Sequence, residues 1–336
     1  MNARSIVGVC ALMLIIFGTL GVVNAQNGYK ISAPHTYKNL TIFLLHGKDE
    51  SSGKNVLTLQ EAMERKLVFV YETSEVNELE VENRSKQFDV FIQSGDIVKG
   101  GKQDRVLAVS IIIPAGSGRV KIEAFCVESG RWTKRGEEDS AKFTSSNDRI
   151  VTKELKIAAN GARSQQQVWS QVSEAQARLG KNVGGSVASG DSSSSLQLSL
   201  ENKKVVATVD EYIKSLGNIV DGKSDVIGYA FAINGKINSA DVYVSNALFK
   251  KVWMKMLKAS ATEAVSESRS VRLADPVKAD AVRSMIDDAE KARPKEQSVG
   301  SGARLVTRED KDNVMFESRD EKTKRWCTGA MSRSSR

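Results

Sequence analysis

Histidine occurs only twice, as His35 and His46, so the chain is nearly without the commonest general base and metal ligand. There is no His-x3-His pair and no cysteine pair at zinc spacing, so no motif points to a zinc centre. A Ser-His-Asp triad would need one of those two histidines, and the Gly-x-Ser-x-Gly elbow that would support it is missing. Gly116-Ser117-Gly118 reads instead as a loop turn. Cysteine is nearly as scarce. Cys10 falls in the first apolar run, which leaves Cys126 and Cys327 either to form a disulfide or to serve as two buried thiols. Aromatics make up 6% of residues, and no Lys/Arg block is interleaved with them. The net charge of +8 is spread among acidic stretches such as Glu137-Glu138-Asp139, so nucleic acid is not an expected partner. Neither a cofactor loop nor a metal set is read from the motifs.

What is present starts with an apolar N-terminus. Arg4 precedes an uncharged run from Ile6 to Val23, and Val23-Asn24-Ala25 offers a small-residue cleavage site. That order is expected of an export signal over residues 1–25, which would put the protein in the periplasm or outside the cell. Retention of the run as a membrane anchor is the alternative. A short lead over 26–35, one domain over 36–328 and a disordered tail over 329–336 complete the expected organisation.

From residue 36 to 127 the pattern is that of β-strands. Leu40 to Leu45, Leu67 to Tyr71, Leu79 to Glu82, Phe88 to Ile92, Val106 to Ile113 and Val120 to Val127 are short apolar runs punctuated by Gly, Asn83 and Pro114. Within them Thr58 and Glu61 predict a capping box that starts a short helix. Beyond residue 163 the period becomes helical. Val168, Val172, Ala175 and Leu179 share a face, with Gly180 expected as the cap, and Lys181 to Ser195 follows as a Gly/Ser-rich loop. Val205 to Leu216 and Leu248 to Leu257 predict two more helices, and Pro276 to Lys291 a charged one. Trp169 and Trp253 fall at helical positions among apolar neighbours, as core residues would. Asn234-Gly235 between two apolar runs predicts a hairpin. Arg293 to Gly302 reads as a linker, and Asn313 to Thr328 as a polar hairpin. The expected fold is α+β, a curved antiparallel sheet or sandwich in the first half packed against helices and one further hairpin.

Two turns concentrate the chemistry. One runs from Gly95 to Arg105 and holds Asp96, Gly100, Gly101, Lys102, Gln103, Asp104 and Arg105; the other holds Glu128, Arg131 and Trp132. Lys102 and Arg105 beside glycine N–H groups would hold a small anion, though P-loop spacing is absent. Equally, the charges would pair among themselves, Asp104 with Arg105 or Glu128, and Arg131 with Glu128. Arg131 and Trp132 suit either recognition or a lid over the sheet.

Gly100-Gly101-Lys102-Gln103-Asp104-Arg105-Val106-Leu107 with Cys126-Val127-Glu128-Ser129-Gly130-Arg131-Trp132 resembles the ARG and Rhodanese-Phosphatase-superfamily-associated protein domain, a bacterial domain of unknown function. Gln167-Val168-Trp169, Gly228 to Ile237, Leu248 to Trp253 and Phe316 to Asp320 extend the likeness in order, which argues for one domain. Members tend to carry Asn where this chain has Asp104, and a Glu-rich lead where it has Asp96-Ile97-Val98-Lys99. The resemblance implies neighbours in ADP-ribosyl and phosphate chemistry, not an activity. The reading that follows is a non-catalytic envelope module binding a small anionic ligand or an envelope protein. The alternative is a hydrolase of phosphorylated, ADP-ribosyl or glycosidic substrates, with Asp96, Asp104 or Glu128 as acid/base and Lys102, Arg105 and Arg131 as clamps. A purely structural role for the turns is the third option.

Overall fold

The computed structural model describes residues 28–51, 56–268, 276–299, 303–320 and 326–333; the expected signal over 1–25 lies outside them. The chain enters its larger sheet at once. Strands β1 (Lys30–Ile31) and β2 (His35–Tyr37) both pair with β3 (Leu40–His46), so the lead joins the sheet from Lys30 onward. Strand β4 (Val56–Thr58) runs into α1 (Leu59–Glu64). There the Thr58 hydroxyl accepts from the Glu61 N–H and the Glu61 carboxylate accepts from the Thr58 N–H, the expected capping box.

Eight strands follow: β5 (Val68–Glu72), β6 (Glu78–Asn83), β7 (Asp89–Ile92), β8 (Asp96–Gly100), β9 (Arg105–Leu107), β10 (Ile111–Ile113), β11 (Gly118–Cys126) and β12 (Phe143–Arg149). The order β12-β8-β9-β11-β6-β5 forms a second antiparallel sheet. It curls until Tyr71 on β5 bridges Lys142 just ahead of β12, and the Glu72 N–H donates to the Ala141 carbonyl at 3.1 Å. Closing a sheet this way removes its free edges. Val70, Val81, Val98, Leu107, Ile122 and Phe143 pack on one of its faces, while Ile97, Val106 and Phe125 on the other join the helical core. The apolar run from Val106 to Ile113, expected as one strand, is divided between β9 and β10. β10 leaves to pair with β7, which also pairs in parallel with β4. Ser94 causes the break, donating from its hydroxyl to the Ala108 carbonyl and from its N–H to the Ser110 hydroxyl, both at 3.0 Å.

The second half carries α2 (Lys153–Ile157), a π-helical turn (Ala158–Ala162), α3 (Gln165–Asn182), α4 (Leu196–Leu200) and α5 (Lys203–Leu216). The hairpin of β13 (Val226–Ile233) and β14 (Lys236–Tyr243) turns at Asn234 and Gly235, both at positive φ as its sequence requires. Then come α6 (Asn246–Ser266), α7 (Ala279–Lys291), β15 (Pro294–Val299), β16 (Ala303–Glu309), β17 (Asn313–Asp320) and β18 (Trp326–Arg333). The larger sheet runs β1-β3-β13-β14-β18-β17-β16-β15. Leu40, Ile42, Leu44, Tyr229 and Phe231 face α3, α5 and α6, while Phe43, Leu45, Ala230 and Val242 face α7. Burial on both faces explains why β3 and β13 are continuous apolar runs and not alternating ones.

Three boundaries depart from expectation. Residues 294–299, expected within a linker, form β15, and residues 329–333, expected as tail, belong to β18. Gly180 does not cap α3, which continues to Asn182. A Cβ there would lie 3.0 Å from the Gly185 carbonyl oxygen, so this glycine allows the following loop to fold back on the helix. Among the described residues no helix is long and apolar enough to cross a membrane.

Candidate functional site

The Gly95–Arg105 segment is a hairpin and not a single loop. β8 and β9 pair with Val98 opposite Arg105, and residues 101–104 make the tip. Gly101 has φ +57°, and a Cβ there would sit 2.4 Å from the Phe143 ring, so only glycine fits. The N–H groups expected to cradle an anion are occupied by the chain itself. Gly100 donates to Asp104 Oδ1 at 3.0 Å, Lys102 to Glu72 Oε2 at 3.3 Å, and Gly101 to the Asp139 and Lys142 carbonyls.

The second turn lies against this tip. Arg131 grips Glu128 with Nε and Nη2 at 2.7 and 2.6 Å, and Glu128 accepts the Asp104 N–H at 3.2 Å. Arg135 grips Asp104 with two bonds of 3.0 and 3.1 Å, and the Ser195 hydroxyl donates to the same carboxylate at 2.9 Å. Asp104 and Glu128 are fully buried. Burial alone would raise the Glu128 carboxyl, but donors from Arg131, Ser192 and Asp104 hold it below its usual value. Arg105, also fully buried, pairs with Glu72 at 3.2 Å and not with Asp104. Trp132 covers Arg105 and Lys102, its ring centre 5.6 and 5.3 Å from their charges, and Lys102 Nζ donates to the Ser74 hydroxyl at 2.9 Å. Gln103 is buried, with its Oε1 unpaired.

Eight of the nine expected ligand residues therefore gather at one end of the curled sheet. Asp96 does not, because it begins β8 while the tip lies beyond that strand's other end; it pairs with Lys255 at 2.9 Å. Arg135, Glu72 and Ser195 belong to the network without any motif to mark them, since Arg135 sits in a charged stretch that looks like solvated surface. Cys126 is a free buried thiol pushed up to about 11 by burial, and the side chain of Cys327 lies outside the described residues. Trp169 donates to the Glu128 carbonyl and Trp253 to the Gly217 carbonyl, both as parts of the packing.

A second polar cluster carries no motif either. Between β14, β12 and the α2–π-turn segment, a chamber of about 30 Å³ is lined by Gln93, Ser94, Arg149, Lys156, Asn160 and Asp241, among others. Asp241 is 7% exposed, and its carboxylate has no hydrogen bond or ion pair among the described residues. Burial raises its carboxyl above the usual range, against the pull of Arg149 and Lys156. Arg149 donates to the Ser94 carbonyl at 2.6 Å and contacts Met256 Sδ at 3.0 Å, but its buried Nε has no acceptor. Lys156 pairs with Glu263 at 3.1 Å. The chamber adjoins a groove of about 1020 Å³ between the π-helical turn and β15–β17, and Ile157, Asn160 and Phe316 line both.

The backbone beside the chamber is unusual. Thr152, fully buried, has φ +66°, and the π turn follows six residues later. Both features recur at functional sites, where packing sustains a conformation the residue alone would avoid. Among the described residues no three His, Cys, Asp or Glu side chains converge as a metal set.

No curated protein and no solved structure matches the chain. The family model of the ARG and Rhodanese-Phosphatase-superfamily-associated Protein domain (ARPP-1) matches residues 28–326, and the chain belongs to that family.

Proposed function

We propose that the protein is an exported, non-catalytic module of the cell envelope and that it binds its ligand in the cleft ending at Asp241. The observation that carries this reading is a buried carboxylate lining a cavity with no partner among the described residues, beside a buried guanidinium with one N–H left unpaired among them. An unpaired buried charge costs folding free energy, so a fold that keeps one beside a large groove is arranged for something other than its own stability. Export rests on Arg4, the apolar run and the Val23-Asn24-Ala25 site. The turns at the end of the curled sheet are the less favoured ligand site: Gln103 Oε1 and Arg105 Nε are left over there, but the carboxylates of Asp104 and Glu128 and the N–H groups of residues 100–102 are already paired.

Thermal-shift screening would separate the two sites. A ligand shift that disappears in Asp241→Asn and persists in Lys102→Ala supports the cleft; the opposite pattern returns the site to the turns. One observation favours hydrolysis as a second reading: a buried carboxyl that burial raises above its usual range lines the chamber, where a general acid would stand. Product released from a bound ligand by the wild type and not by Asp241→Asn would establish that reading.

A further inference from the structure

We infer that the cleft recognises the hydroxyl groups of an uncharged saccharide, with Asp241 accepting from them in the chamber and Phe316 offering its ring to a sugar face. This rests on the reading that the cleft is the ligand site. Charge narrows the chemistry first. Arg149 and Lys156 are offset by Asp241 and Glu263, so the chamber has no excess of either sign for a charged group. A phosphate or carboxylate entering it would meet Asp241, and an ammonium would meet Arg149 and Lys156.

Hydrogen-bond inventory narrows it further. Asp241 as carboxylate only accepts, the Arg149 Nε only donates, and the buried Asn160 Oδ1 lacks a donor. Two acceptors and one donor call for two donated hydrogens and one acceptor lone pair, which a pair of neighbouring hydroxyls supplies. Size agrees with this. The chamber of about 30 Å³ holds roughly two water-sized groups, which suits a pair of neighbouring hydroxyls or a hydroxymethyl but not a ring. The groove outside, about 1020 Å³, has room for the rest of an oligosaccharide, with Phe316 half-buried where the two spaces meet.

The test is calorimetric titration of the intact chain with maltotetraose, cellotetraose and tetra-N-acetylchitotetraose, each against ADP-ribose, inorganic phosphate and glycine. At least one neutral glycan is expected to bind. Asp241→Asn should weaken it roughly tenfold or more, the range of a hydrogen bond to a charged group. Phe316→Ala should weaken it as well, and Lys121→Ala, at an exposed side chain of β11, should leave it unchanged. Near-UV circular dichroism checks that each variant is folded. If only ADP-ribose, phosphate or glycine binds, and Asp241→Asn abolishes it, the saccharide class is wrong and the cleft stands. Glycan binding untouched by both cleft variants removes the cleft itself. Silence across all three neutral glycans and a wider neutral array overturns the saccharide inference.

Discussion

Asp104 and Arg135 meet through two hydrogen bonds of 3.0 and 3.1 Å in a setting almost closed to water. Removing one partner of such a pair strands the other charge, which typically costs about 3–5 kcal/mol. Arg135→Ala should therefore lower urea-unfolding stability by about that much, whereas truncating Lys121 should change it by less than about 0.5 kcal/mol. Glu128 adds a pH dependence. Its folded value lies below the usual 4.5, so its contribution is complete above that value and is lost as pH falls through the lower folded value. Acid unfolding of Glu128→Gln should accordingly be shallower below pH 4.5 than that of wild type. Asp241 has the opposite sign. Its folded value lies above 3.8, so the ionised form costs stability as pH rises through that folded value. Asp241→Asn should raise Tm at neutral pH and lose this advantage below pH 3.8, even as it impairs ligand binding. A lower Tm at pH 7 would mean that Asp241 is a structural partner of Arg149 and Lys156.

The element that joins these residues to the cleft is α2 with the π turn behind it. Thr152 caps α2 by accepting the Leu155 N–H at 3.2 Å, from a backbone conformation that L side chains rarely adopt. Strain of this kind costs about 1–3 kcal/mol, while exchanging a threonine cap for glycine costs only a few tenths. Thr152→Gly should thus stabilise the fold by about 1 kcal/mol in urea titration; destabilisation would show that the cap outweighs the strain. Elements with a clear period, an unbroken apolar run or a specific cap or turn are legible in the order of residues alone: β11, α5 and α6 by period, β3 as an apolar run, the α1 capping box and the Asn234-Gly235 hairpin. β12 (Phe-Thr-Ser-Ser-Asn-Asp-Arg) and β15 (Pro-Lys-Glu-Gln-Ser-Val) are not, because they are polar and lack alternation. Their strand state comes from pairing with β8 and β16, which a local reading cannot see.

At the scale of the molecule, the bridge from Tyr71 to Lys142 turns a curled sheet into a closed one. The N–H group of Glu72 then donates across the seam, and its hydrogen exchange should be as slow as that of central strands. Fast exchange there would mean that the seam opens locally. This closure presses the Glu128–Trp132 turn onto the hairpin tip and brings Glu72 to Arg105.

The amino-acid sequence alone determined the family, the α+β class, the division into a β-rich first half and a helical second half, and the two turns as landmarks. Those properties depend on local period, turn chemistry and the order of short motifs, all carried within a few residues of chain. Only the tertiary structure decided what the charges do. Asp104 found Arg135, Arg105 found Glu72, and Asp241 was left facing a cavity. Each outcome depends on which distant segment the sheets bring alongside, and a buried charge takes its meaning from that neighbour.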